Sequence, residues 1–275
     1  MLTALVSSAG GQAVTTVRLN DGSMMELDPR SRTEAGAFWC GVHEEDYRKV
    51  LVDLCHSYGS SFYDVGANVG LVVVPVARKL STPAHVVAFE PVESNAVRLR
   101  RNLDHNGLTD AIVFECALGE ASGVLTIARE AAHGATSGNA VVVASPKDSE
   151  AGAVEVTEVP VRTLDDIVQT EQLTLPDVIK VDVEGSEVGF LAGAQETLHS
   201  ARPVVLGEFN SGYMPRFGTT FLDAVPLLPP DYVILAFRSG TSVAEELPRV
   251  GLGDVLLVPR EKLTQLPLTV LGSRN

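Results

Sequence analysis

Short apolar runs and longer amphipathic stretches take turns along most of the chain. Residues 44–58 place Tyr47, Val50, Leu51, Leu54 and Cys55 at helical spacing, and Gly59 supplies a stop. From residue 61 the pattern reads strand, turn, helix, and repeats. Residues 61–65 predict a first strand, and 71–80 a helix that Pro75 should kink or start late. Residues 85–90 predict a second strand. A helix over 93–106 follows, ended near Gly107, with Arg98-Leu99-Arg100-Arg101 on a solvated face. Residues 111–116 and 177–183 predict third and fourth strands, 187–200 a helix, and 203–209 a fifth strand. Residues 232–237 and 255–258 suit a closing antiparallel pair. This alternation predicts an α/β chain with a doubly wound, mostly parallel sheet covered on both faces.

Two regions depart from the rhythm. Residues 1–40 read as an N-terminal extension, with 12–19 and 24–27 pairing as a hairpin across Asn20-Asp21-Gly22-Ser23. Residues 41–275 then form the main domain. Residues 123–128 and 154–161 look like strands where a helix is due, and 133–152 between them is rich in Gly, Ser and Ala. They predict a β excursion inserted before the fourth strand, with a long loop of the kind that covers sites.

Composition narrows the partners. The formal net charge of −14 repels phosphate backbones and anionic lipid, so neither nucleic acid nor a membrane surface is expected. No apolar run is long enough to span a bilayer, and the N-terminus lacks a basic start, so no signal peptide is expected. Cys40, Cys55 and Cys116 form no C-x-x-C pair, which favours a reducing cytoplasm over a disulfide framework. A homo-oligomer is compatible with the chain.

The chemistry-bearing motifs fall at strand ends. In Asp64-Val65-Gly66-Ala67-Asn68-Val69-Gly70 a buried strand ends in a carboxylate and a glycine turn opens a helix. The turn is not G-x-G-x-x-G, because Asn68 and Leu71 stand where glycines are required, and no Gly-Lys-Ser/Thr follows as in a P-loop. Glu90, in Ala88-Phe89-Glu90-Pro91, ends the second strand. A carboxylate there can accept hydrogen bonds from both ribose hydroxyls of an adenosine. As a strand-end group outside the core, its removal should weaken ligand binding with little loss of fold. Glu115-Cys116-Ala117-Leu118-Gly119 borders the place where the base would lie.

These segments, with Val161-Arg162-Thr163-Leu164-Asp165 and 179–187, resemble the FkbM family of methyltransferases in order and spacing across roughly residues 40–210. The resemblance implies a class I, Rossmann-like methyltransferase domain using S-adenosylmethionine. It implies, in most members, O-methylation of a sugar or natural-product hydroxyl, the acceptor being a small molecule such as a sugar, glycoside or polyketide. It places Asp64, Gly66, Asn68, Gly70, Glu90, Pro91, Ala117 and Asp182 around the cofactor. Glu44 falls where the family often has Tyr-Glu-Pro, but this chain reads Val42-His43-Glu44-Glu45.

At the reacting end, Lys180, Asp182 and Glu184 alternate on one side of the fourth strand, and Glu208 and Asn210 follow the fifth. Asp182, Glu184 and Glu208 are the catalytic candidates: one could take the proton from an acceptor hydroxyl. A hard cation such as Mg²⁺ held by the same three is the less favoured arrangement. Substrate contacts are expected near Phe38 and Trp39, in 133–139 and in 210–217, with Trp39, Tyr213 and Phe217 as stacking candidates and His133 a minor base candidate. N-methylation of an amino sugar or protein, and a non-catalytic cofactor-binding homologue, are the alternatives.

Overall fold

The computed structural model describes residues 14–81, 84–130, 141–142, 154–236, 245–246 and 253–271. A hairpin, β1 (Thr15–Arg18) and β2 (Met24–Leu27), leads into α1 (Arg32–Cys40) and α2 (Glu45–Tyr58). The repeating part begins with β3 (Ser61–Val65), α3 (Val73–Ala77), β4 (His85–Phe89), α4 (Glu93–His105) and β5 (Ile112–Phe114). Next come β6 (Ala117–Leu118), β7 (Gly123–Glu130), β8 (Val141–Val142), β9 (Val154–Arg162) and α5 (Leu164–Thr170). Then follow β10 (Val178–Val181), α6 (Glu187–Ala192), α7 (Gln195–Ala201) and β11 (Val204–Glu208). The chain closes with α8 (Phe221–Ala224), β12 (Tyr232–Ala236), β13 (Glu245–Glu246), β14 (Asp254–Pro259) and α9 (Leu268–Leu271).

The main sheet has eight strands in the order β13-β12-β14-β11-β10-β3-β4-β5. The run from β11 to β5 is parallel, and β14 lies antiparallel between β11 and β12. This is the expected α/β architecture, closing antiparallel pair included. Successive side chains on each strand feed opposite cores. Phe62, Val86, Ala88, Val178 and Leu206 pack with α2 and α3, whereas Tyr63, Val87, Phe89, Ile179 and Val205 pack with α5, α6 and α7. The excursion forms its own sheet, β6-β9-β7-β8. The hairpin also forms, pairing Thr15–Arg18 with Met24–Leu27.

Several boundaries move for local reasons. The helix foreseen over 71–80 shrinks to Val73–Ala77, with Pro75 in the first turn, where a missing N–H costs nothing. The helix foreseen over 187–200 breaks into α6 and α7 at Gly193. A Cβ at Gly193 would lie 2.0 Å from the Gly119 carbonyl oxygen, so only glycine permits this approach. Arg98 is not solvated: it is buried, pairs with the buried Glu34 and donates to the Glu26 carbonyl at 2.8 Å. It thereby fastens α1 and β2 to α4. Among the described residues no helix is long and apolar enough to cross a membrane.

Candidate active site

The bend after β3 is built by backbone demand. Gly66 has φ +78°, and a Cβ there would lie 1.9 Å from the Asp182 carbonyl oxygen. The N–H groups of Gly66 and Ala67 both donate to the Phe89 carbonyl at 3.0 Å, which pins the bend to the tip of β4. The Asn68 N–H then donates to Glu90 Oε2 at 2.8 Å. Glu90 Oε1 accepts from the Val92 N–H at 3.0 Å and Asn95 Nδ2 at 3.2 Å. Burial pushes the Glu90 carboxyl up, against the pull of those hydrogen bonds. Glu90 is only 4% exposed, so it belongs to the packed structure and not merely to its edge.

A cavity of about 250 Å³ opens over these strand tips. Of the residues singled out from the sequence, Gly66, Asn68, Glu90, Pro91, Ala117, Asp182, Glu184 and Glu208 line it. Asp64 and Gly70 do not. Asp64 is fully buried behind the wall, opposite Lys180 in the β3–β10 register, with Lys180 Nζ 3.0 Å from its Oδ1. Lys180 Nζ also donates to the Gly66 carbonyl at 2.9 Å and lies 3.6 Å from Asp182 Oδ2. Burial pulls the ammonium down, but Asp64 and Asp182 outweigh that and keep it charged. Gly70 stands under the bend and packs towards Leu99 and Val74.

The reacting end differs from expectation in how it is made. β10 stops at Val181, so Lys180, Asp182 and Glu184 do not share a strand face. Asp182 extends the ladder by one bond, its N–H donating to Val65 O at 3.0 Å. The chain then turns at Glu184, with φ +54°, which brings that side chain to the rim. Burial, reinforced by Asp182, Glu208 and Glu187, pushes Glu184 up to about 7. Burial and Asp182 also push Glu208 up, while Asn210 Nδ2, at 3.2 Å, pulls it back. Among the described residues no group of three or more His, Cys, Asp or Glu side chains, Asp182, Glu184 and Glu208 included, is placed to hold a metal ion.

Sequence reasoning missed part of the lining. His43, not singled out, reaches the cavity from the link between α1 and α2, together with Glu44, which stands at the family's Tyr-Glu-Pro position and adopts φ +42°. Leu125 and Ile127 of β7 form another wall. Of the proposed substrate contacts, Phe38 is buried, Trp39 is exposed, and neither lines the cavity. Phe217 lines a neighbouring cavity beyond Ser186. His133 and 133–139 lie outside the described residues. The Val161–Asp165 motif is architectural: Thr163 caps α5 through the Asp166 N–H, and Asp165 accepts from the Glu196 and Thr197 N–H groups, each at 2.8 Å, to cap α7.

The strand order and the cavity over the parallel strand tips define a class I, Rossmann-like methyltransferase fold. The methyltransferase FkbM domain matches residues 64–233, and the chain belongs to that family. AglP, a hexuronic acid methyltransferase of Haloferax volcanii, is 30% identical over 184 residues, covering 67% of this chain and 70% of that protein. Methyltransferase 1 of Beauveria bassiana is 23% identical over 204 residues, covering 66% of this chain and 76% of that protein. The crystal structure of an FkbM methyltransferase from Methylobacillus flagellatus KT aligns with a TM-score of 0.45 and 22% identity, over 72% of this chain and 43% of its own.

Proposed function

We propose that this chain transfers a methyl group from S-adenosylmethionine to a hydroxyl of a sugar or natural-product small molecule. The observation that carries this reading is Glu90, held against the Gly66–Asn68 bend inside a cavity whose far end is lined by carboxylates. The residues fit the donor. A carboxylate has about four lone-pair directions and Glu90 uses three, which leaves acceptor capacity for a ribose hydroxyl. Cys116, Ala117 and Leu118 offer a small, flat flank for a base.

When bound, S-adenosylmethionine supplies an electrophilic methyl on a cationic sulfur. Asp182 and Glu208 face that end and favour positive charge. Glu184, with a carboxyl near 7, is matched to removing the acceptor hydroxyl proton. Leu125 and Ile127, packed with Val92 and Ala117, add an apolar wall on the nucleotide side. Positioning of this kind supplies on the order of 7–11 kcal/mol in favourable intramolecular reactions. On this reading residues 41–275 carry the activity and 1–40 are an extension, whose Glu26 and Glu34 are tied to Arg98 of α4. The unpaired Cys40, Cys55 and Cys116 suit a reducing cytoplasm.

The acceptor named for AglP is an acid. The carboxylate rim here favours a neutral hydroxyl over an anionic sugar, and it equally suits an amine, so N-methylation of an amino sugar or protein is the second reading. Calorimetry with S-adenosylmethionine and S-adenosylhomocysteine tests the donor, and no heat with either at millimolar concentration rejects it. Label from the donor methyl should reach a base-stable ether in a panel of hydroxylated sugars and polyketides; a base-labile ester product would overturn the hydroxyl assignment.

A further inference from the structure

Charge at the reacting end is unbalanced. Glu44, Asp182, Glu184 and Glu208 line the cavity there, and Asp254 on β14 stands opposite Glu208 in register. The lining offers one ammonium against them among the described residues, Lys180, and it is already committed to Asp64 and Asp182. His43 adds nothing: burial, with Arg48 and Lys180 nearby, pushes its imidazole down to about 4, so it is neutral at pH 7. Arg48 acts on Glu44 and Arg216 on Glu184 without joining the lining.

Resting on the donor reading above, we infer that Asp182, Glu184 and Glu208 make the cavity select for positive charge, so that it holds the sulfonium donor more tightly than the neutral thioether left after methyl transfer. The two ligands share adenine, ribose and amino acid, so those contacts cancel in the comparison. What remains is one methyl and one unit of charge, and opposite charges attract several-fold more strongly in a partly buried site than in water. A cavity with this bias releases product and reloads donor.

The preference carries a pH signature. Burial, with Asp182, Glu208 and Glu187 and against Arg216, pushes Glu184 up to about 7. Burial, with Glu208, Glu44 and Asp182, pushes Asp254 up to about 7. Both groups are neutral below that pH and anionic above it, so the preference grows as pH rises through 7. His43 stays neutral and Lys180 charged across the window. The sulfonium lowers the donor's own amine pKa, so the narrowing is read as the difference between the unmodified protein and its Glu184→Gln variant, in which that ligand contribution cancels.

Titration calorimetry on the intact protein with S-adenosylmethionine and S-adenosylhomocysteine tests the inference. At about pH 8 the donor should bind about tenfold tighter than the product, equivalent to about 1.4 kcal/mol. The ratio should narrow at about pH 6 in the unmodified protein. Glu184→Gln and Glu208→Gln should each reduce it several-fold while leaving thioether affinity within about twofold. Equal affinities at pH 8, or a ratio indifferent to pH, overturns the inference and leaves the donor reading standing. If neither ligand binds, the donor reading falls and takes the inference with it.

Discussion

The two ends of the cavity are held in opposite ways. At the nucleotide end, Glu90 meets three N–H donors and the Gly66 bend is tied to β4 by backbone hydrogen bonds. At the reacting end, Asp182 raises the proton affinity of Glu184 and Glu208, and Glu208 raises that of Glu184. The fold has finished the first end and left the second in mutual repulsion, for a ligand to complete. Such local destabilisation is what functional sites retain at the expense of stability.

Removing the Lys180 ammonium, which meets both the Gly66 carbonyl and Asp182, tests this contrast most severely. Lys180→Met strands Asp64, fully buried behind the cavity wall, and breaking a buried pair from one side costs about 3–5 kcal/mol. Urea unfolding measures it, and a loss below about 1 kcal/mol would show that Asp64 is not charged there. Glu90→Ala ranks next. The sequence suggested a change felt by ligand alone, but the buried carboxylate serves the Asn68 and Val92 N–H groups. Their loss of an acceptor should cost about 1–3 kcal/mol of stability besides the affinity. Unchanged unfolding with weakened nucleotide binding would return Glu90 to a purely ligand-facing role.

The smallest effect is a pH slope. Glu184, Glu187 and Asp254 are all pushed up to about 7, chiefly by burial. A carboxyl with a raised folded-state pKa stabilises the fold below its unfolded value, and that contribution fades as pH rises through 7. Unfolding free energy should therefore fall between about pH 5 and pH 8. Glu184→Gln should flatten the slope, and a flat profile in the native chain would mean that the reacting end is not strained by its charges.

What the sequence revealed follows from which forces are local. β3, β4, β10 and β11 were legible because each is a short apolar run whose tip is marked by Gly, Pro or a carboxylate. The site was legible as far as it consists of strand tips. α1 was not, because the burial of Glu34 depends on Arg98, 64 residues away. His43 was obscure, and Glu44 showed only through the family resemblance, for a related reason: a non-glycine residue at φ +42° has no compositional signature. Glu184 was found by carrying strand alternation past Val181, where the strand has already ended. The residue is at the site, but a turn brings it there.

The wall contributed by Leu125 and Ile127 has a different anchorage from the floor beneath it. It belongs to β7, which is sewn to β9 and β8 and not to the eight-stranded sheet. Length and shape on that side can therefore drift in descendants of this gene without shifting the register of β3, β4 or β10. Floor and wall are free to evolve at separate tempos.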